Sequence, residues 1–279
     1  MKRIAVLGSG LLGGSIALAV QSRLPSASVS LWGRREQGVL QAQDRGVKTA
    51  STDLKVVVEG AEMIVLASPV GAMLEILDAC AAHCNLEGVL VTDVGSVKMT
   101  PRDLLGPTIN KLGAKYIGSH PMAGSEQAGA SSARDDLFEG AACIITNDFE
   151  HSEEDVSVIR SLWQGIGCQC YSTTSEEHDR VIARVSHMPH MLASVGALVG
   201  LKDPNQGKFA GNGMRDTTRV ASGHPVMWAE ILMRNKDALR EPVEEAITYL
   251  REMLALMDDS SDEALAELLA KAKHLRDEL

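Results

Sequence analysis

The first twenty residues constrain this chain more than any other stretch. The run KRIAVL is short, β-branched and aliphatic, and it leads without a break into GSGLLGGSIALAV, whose apolar residues continue at helical spacing. That order predicts a strand, a tight turn and a helix, with Gly8, Gly10 and Gly13 spaced G-x-G-x-x-G in the turn. Each glycine then has a task. Gly8 permits the turn, Gly10 lets the backbone approach a pyrophosphate, and Gly13 allows helix to pack closely on strand. The helix start, from Leu11 and Leu12 onward, presents free N–H groups to the anion. Glycines also recur in ordinary turns, so a plain turn stays open on these residues alone.

Strand-like runs recur at Ser28 to Trp32, Glu62 to Pro69, Gly88 to Ser96, Ala114 to Pro121, Ala141 to Thr146 and Cys168 to Thr173, most of them separated by helical segments. This alternation predicts an α/β fold, a Rossmann-type doubly wound parallel sheet with ligands gathered at the carboxyl ends of its strands. After Thr173 no strand-like run appears, and helices are expected over roughly 176–200, 225–256 and 262–275. The division expected is a dinucleotide-binding domain over 1–173 and an all-α substrate-binding and dimerisation domain over 174–279. The segment VIARVSHMPHMLASVGALVG is too apolar all round for a solvated helix, so it belongs inside that domain or against a second subunit, and a homodimer through the C-terminal helices is expected.

Composition removes other classes. The 279 residues are 45% apolar, enough for two modest cores, and the formal charge of −10 with no basic run argues against a nucleic-acid partner. Apolar stretches stop well short of the roughly 20 residues that cross a bilayer, and no signal-peptide pattern opens the chain. A soluble, cytoplasmic protein without a membrane partner is expected. Five cysteines, an odd number with no C-x-x-C spacing, read as reduced and mostly buried thiols that carry no chemistry.

Cofactor choice turns on the end of the second strand, where an acidic residue would hydrogen-bond the adenosine ribose of NAD. Here the sequence is LWGRRE. Gly33, Arg34 and Arg35 stand there instead; an arginine fork suits a 2′-phosphate and Gly33 leaves room for it, so NADP is favoured and NAD remains possible. Ser68 and Pro69 after the fourth predicted strand are small enough for a nicotinamide ribose to lie close. Ser96, before the next helix, can cap it or face the ligand.

The stretch GSHPMAGSEQAG, Gly118 to Gly129, holds the candidate base. His120 lies just past a predicted strand end, Pro121 restricts its backbone, and an imidazole can accept an alcohol proton as hydride leaves the same carbon. Ala123, Gly124 and Ser125 add little bulk, and Glu126 can make a polar contact. His187 and His190 share a helix face with Pro189 between them, which predicts a kink near Ser186. No carboxylate or third histidine sits at ligand spacing, so no metal is expected. In GMRDTTRVASGHPVMW, Arg215 and Arg219 occupy a polar loop suited to holding a carboxylate.

Taken in order, VLGSGLLGGSIA, TDVGSVK, GSHPMAGSEQAG, HDRVIARVSHMPH and RDTTRVASGHPVMW resemble the prephenate and arogenate dehydrogenases of tyrosine biosynthesis. The resemblance implies oxidative decarboxylation of prephenate to 4-hydroxyphenylpyruvate with a nicotinamide dinucleotide, or the same chemistry on arogenate. It implies that His120 assists deprotonation of the ring hydroxyl and that Ser96 orients it. It also implies that His190 and Arg219 contact the substrate, Arg219 at the ring carboxylate, with Ser125 and Glu126 bordering the side chain. In 279 residues it leaves no room for a regulatory amino-acid-binding domain. Two other readings stay open: a β-hydroxyacid dehydrogenase, which needs a lysine that the segment between Thr173 and Leu201 lacks, and a non-catalytic nicotinamide-binding regulator.

Overall fold

The computed structural model describes residues 3–124, 129–203 and 205–278. The chain opens as β1 (Arg3–Leu7), α1 (Leu11–Arg23), β2 (Ser28–Trp32), α2 (Glu36–Asp44), β3 (Ala50–Ser51), α3 (Leu54–Val58), β4 (Met63–Leu66), α4 (Val70–Ala81), β5 (Leu90–Asp93), α5 (Met99–Leu112) and β6 (Lys115–Tyr116). These strands form one parallel sheet in the order β3-β2-β1-β4-β5-β6. That is the doubly wound order, with the reversal between β1 and β4 at the carboxyl end where the glycine turn lies.

Strand residues alternate between the two faces. Ile4, Val6, Met63 and Val65 point into one core with Ile16, Val20, Phe138 and Trp163. Ala5, Leu7, Ile64 and Leu66 point into the other, with Met73, Leu77 and Ile109. Burial on both faces is why these strands read as continuous apolar runs rather than alternating ones. The sequence missed β3, whose two residues pair at the sheet edge with Leu31 and Trp32.

The chain then leaves this sheet. The run from Ala114 to Pro121, expected as one strand, splits after Tyr116. Its second part, β7 (Gly118–Pro121), joins β8 (Ala142–Thr146) antiparallel, and after α6 (Glu153–Gly165) β9 (Gln169–Thr173) adds parallel to β8. A separate three-stranded sheet therefore carries His120, opposite Ile144. Gly118 opens the new strand without a side chain, since a Cβ on it would lie 2.5 Å from Thr146 Oγ1.

All elements after β9 are helical: α7 (Ser175–Ile182), α8 (Met188–Gly200), α9 (Asn212–Thr218), α10 (Pro225–Arg234), α11 (Lys236–Asp258) and α12 (Asp262–Asp277). Between α7 and α8 the residues Ala183–His187 form a π-helical turn. Pro189 lacks an N–H and its ring crowds the carbonyl four residues back, so the helix widens where a kink near Ser186 was expected. The single helix expected over 225–256 breaks at Asn235, and the polar loop expected around Arg215 is the helix α9.

Within one chain the helices bury little. Val185, Leu192, Val195 and Leu198 are exposed, Val199 is 73% exposed and Phe209 81%. One face of this apolar segment, with Ile182, Ala183, His187, His190 and Ala193, is buried inside the domain, and the other is exposed. No described helix is long and apolar enough to cross a membrane.

A buried ion pair fixes the end of the main sheet. Lys98 and Asp93 side chains are both fully buried and bonded to each other. Lys98 Nζ also donates to the Ser119 carbonyl at 2.7 Å, and Asp93 accepts from Tyr116 Oη at 2.8 Å and from Gly95 N at 2.8 Å. The pair thus ties β5, β6, β7 and the start of α5 together. Lys98→Ala strands a buried carboxylate, so it is expected to lower unfolding stability by about 3–5 kcal/mol. The measurement is the urea midpoint at unchanged slope; a midpoint equal to wild type would show the pair to be dispensable.

Candidate active site

The glycine turn distributes its three tasks by space. A Cβ at Gly8, whose φ is 141°, would lie 2.1 Å from the Ala67 carbonyl oxygen, and one at Gly13 would lie 1.8 Å from the Gly8 carbonyl oxygen. Neither site has room. Around Gly10 nothing lies within 4 Å of such an atom, and no side chain caps the first turn of α1, where Leu11 and Leu12 follow. Open space beside the uncapped N–H groups of a thirteen-residue helix fits a pyrophosphate.

At the end of β2, Arg34 and Arg35 are exposed where α2 begins. Gly33 has a different reason from the one expected. Its Cβ would meet Ser9 Oγ at 2.3 Å, so the space beside it is filled by Ser9 rather than left for a phosphate. Ser68 and Pro69 sit at the end of β4, with Pro69 as the exposed residue before α4. The helical half reaches this point: Glu230 Oε1, itself bonded to Arg234 Nε at 2.9 Å, accepts from Gly71 N at 2.7 Å. The two halves meet at the carboxyl end of the sheet.

His120 lies beside the same edge, 6% exposed. Its Nδ1 is 2.9 Å from His178 Nε2, and His178 Nδ1 is 2.7 Å from Asp179 Oδ1. Asp179 also accepts from the main-chain N–H groups of Lys98 at 2.7 Å and Met99 at 3.0 Å, the first donors of α5. The His120 ring thus shares its Nδ1 hydrogen bond with His178, and Ser96 is half-buried on the loop between β5 and α5. Further along the helix, Asn235 Nδ2 bonds the Asp179 carbonyl at 2.9 Å and His187 Nδ1 at 2.9 Å. The break between α10 and α11 places that amide.

His190 is buried and stacks on Trp228 at 3.5 Å between centroids, with its Nδ1 unpartnered among the described residues. Trp228 packs against Gly223, whose Cβ would lie 2.3 Å from the indole nitrogen. Through this contact the segment 219–224 is held to His190, and the short helix Arg219–Ser222 packs on α8. Arg219 itself is exposed. Ser125 and Glu126 lie outside the described residues.

Burial governs the charge of these imidazoles. It holds His120 well below its ordinary 6.5, with His178, Lys98 and His187 adding repulsion. Burial likewise lowers His178, against the opposing hydrogen bond of Asp179, and brings His187 to about 4 and His190 below its ordinary value. Around neutral pH each ring is neutral and offers one donor and one acceptor. A buried neutral imidazole near the carboxyl end of β5 can take a proton from an alcohol.

Residues 16–172 match the family model for the prephenate dehydrogenase nucleotide-binding domain, and residues 174–271 match that for the prephenate dehydrogenase dimerization domain. The chain belongs to the prephenate dehydrogenase family. It is 33% identical to a prephenate dehydrogenase of Lactococcus lactis, over 99% of this chain and 77% of that one. It is 29% identical to a cyclohexadienyl dehydrogenase of Zymomonas mobilis, over 99% and 95%. The prephenate dehydrogenase of A. aeolicus, solved with hydroxyphenyl propionate and NAD+, superposes with a TM-score of 0.88 at 28% identity, covering 100% of this chain and 98% of that one.

The segments TDVGSVK and HDRVIARVSHMPH carry the family resemblance, but the sequence pattern assigns no role to Asp93, Lys98, His178, Asp179 or Asn235. A signal was present for two of them. Asp93 ends an apolar run that a buried strand would close with another apolar residue, and Lys98 follows it in a segment with no other charge. A charge pair inside an apolar stretch has to be satisfied internally. The partnership of His178 with His120, 58 positions apart, left no local trace.

Gly10→Ala is expected to leave the thermal midpoint unchanged while weakening dinucleotide binding by about tenfold or more, or about 1.4 kcal/mol. Gly13→Ala is expected to cost about 1–3 kcal/mol of stability by overpacking. Titration calorimetry with thermal melts of both variants checks this; a normal affinity in Gly10→Ala would move the pyrophosphate elsewhere.

Proposed function

We propose that this chain is a prephenate dehydrogenase, converting prephenate to 4-hydroxyphenylpyruvate and CO2 with reduction of a nicotinamide dinucleotide. The observation that carries the reading is the buried, neutral His120 held between the nucleotide-binding sheet and the helical half. Residues 1–173 serve as the dinucleotide-binding unit and 174–279 as the substrate-binding and dimerisation unit.

Gly8, Gly10 and Gly13 with the N–H groups of Leu11 and Leu12 hold the pyrophosphate, and Ser68 and Pro69 border the nicotinamide ribose. Arg34 and Arg35, with no acidic residue at Gly33, favour NADP, NAD being accepted less well. When bound, the oxidised nicotinamide supplies the hydride acceptor. His120 takes the ring hydroxyl proton as hydride departs from the same carbon and returns it to that oxygen as CO2 leaves, so no proton is released overall. Ser96 orients His120 and the nicotinamide. His190 and Arg219 contact the substrate, Arg219 at the ring carboxylate, and Ser125 and Glu126 border its side chain.

Gain of aromaticity drives the carbon–carbon cleavage, so the protein needs mainly to align the ring and support charge near the hydroxyl. In a chain of net charge −10 a dianion must be met by local cations, which assigns Arg219 its part. A homodimer covers the exposed residues of α8, among them Leu198 and Val199. Arogenate is the competing substrate, and the cyclohexadienyl dehydrogenase among the relatives is the reason to keep it in the test.

An assay of prephenate and arogenate, each with NAD and NADP, followed by absorbance of the reduced nicotinamide, tests substrate and cofactor together. Prephenate with NADP is expected to be fastest; no turnover in any combination overturns the reading. His120→Ala is expected to lower kcat by about a hundredfold or more with dinucleotide affinity unchanged. Because the His120 pKa is lowered, the free base persists below the ordinary range. The acid limb of kcat/KM is therefore expected below pH 6.5, and a limb above it would mean that another group titrates.

A further inference from the structure

Two buried side chains of α7 stand behind His120 and have no task in the reaction as described. His178 and Asp179 are 1% and 3% exposed. The directions of the hydrogen bonds in this row follow from its last member, because a carboxylate only accepts. Asp179 Oδ1 lies 2.7 Å from His178 Nδ1, so that nitrogen carries the His178 hydrogen and Nε2 is left with a lone pair. Nε2 lies 2.9 Å from His120 Nδ1, which therefore donates to it. The hydrogen of neutral His120 is committed to Nδ1, and its Nε2 is left as an acceptor.

We propose that His178 and Asp179 are positioning residues that fix the tautomer of His120, so that its Nε2 is a ready proton acceptor and the charge it gains is opposed. The inference rests on the assignment of His120 as the base. When the substrate O–H bond breaks and the proton bonds to Nε2, the His120 imidazolium keeps its Nδ1–H on His178, whose far side faces a carboxylate. A solvated imidazole has no such bias and carries most of its hydrogen on Nε2, the nitrogen that the reaction needs bare.

The carboxylate is fixed in turn by the nucleotide-binding half. It accepts the N–H groups of Lys98 and Met99 at the N-terminal end of α5, a fourteen-residue helix whose positive end favours an anion. Asn235 holds the Asp179 main chain from the opposite side. His120 thus acquires its competent tautomer only while α7 is seated on α5, which makes the activity of the base depend on the docking of the two halves.

The test combines nitrogen NMR of the histidine rings with kinetics on the full chain, the His120 signals being assigned by their loss in His120→Ala. In the unmodified protein the hydrogen is expected on His120 Nδ1. His178→Phe keeps a ring but removes the acceptor; it is expected to move the hydrogen to Nε2 and to lower kcat by about 10²–10⁴-fold. Substrate KM is expected to stay within about threefold. His178→Gln, whose Oε1 can accept from Nδ1, is expected to recover about tenfold of that loss. In a His120→Ala background, His178→Phe is expected to change kcat by less than about twofold, since it acts through the missing ring. A hydrogen on His120 Nε2 in the unmodified protein, or losses that multiply in the double variant, overturns the inference. A chain that turns over neither prephenate nor arogenate would remove the substrate reading, while the ring signals would still decide the tautomer.

Discussion

The carboxylate of Asp179 is the point on which the two halves of the molecule turn. It sits at the start of α5, receives the N–H groups of Lys98 and Met99, and holds the ring that in turn holds His120. A buried carboxylate without such donors would carry a desolvation penalty of several kcal/mol. Here each donor is supplied by an element that also builds the site. The nucleotide-binding half supplies two main-chain N–H groups and the helical half supplies an imidazole, so one anion couples domain docking to the chemistry.

A second buried network shares Lys98 with it. Lys98 and Asp93 are closed off from water and spend their remaining hydrogen bonds on Tyr116, Gly95 and Ser119. Ser119 precedes His120, and its Oγ is also held by Thr92 and by Trp163 Nε1. The strand carrying the imidazole is thereby pinned on both sides of its backbone. Such satisfied polar networks rigidify the groups they contain, which suits a base that must meet a hydroxyl within hydrogen-bond reach.

Much of this was legible in the chain itself. KRIAVLGSGLLGG gave strand, turn and helix, and the crowding around Gly8 and Gly13 agrees with the tight turn and close packing expected of them. Gly33 was placed correctly at the strand end but for the wrong cause, because the crowding by Ser9 comes from the turn after β1 and cannot be read from LWGRRE. The split of KYIGSHP into two sheets leaves no local mark, since the pattern of a bent strand matches that of a straight one. Pro189 marked the disturbance near Ser186, expected as a kink and found as a π turn, whereas the break at Asn235 had no such mark. Asparagine there serves contacts to Asp179 and His187 that lie more than 45 residues away.

The central claim is that His120 faces the substrate hydroxyl with its Nε2 while the helical half holds the other end of the molecule. The most direct measurement is a crystal structure of the chain with an oxidised dinucleotide and a 4-hydroxyphenyl carboxylic acid. The account predicts the phenolic oxygen within about 3 Å of His120 Nε2 and the carboxylate toward His190 and Arg219. A phenolic oxygen bound away from His120, with the ring reversed or in another cavity, would contradict it.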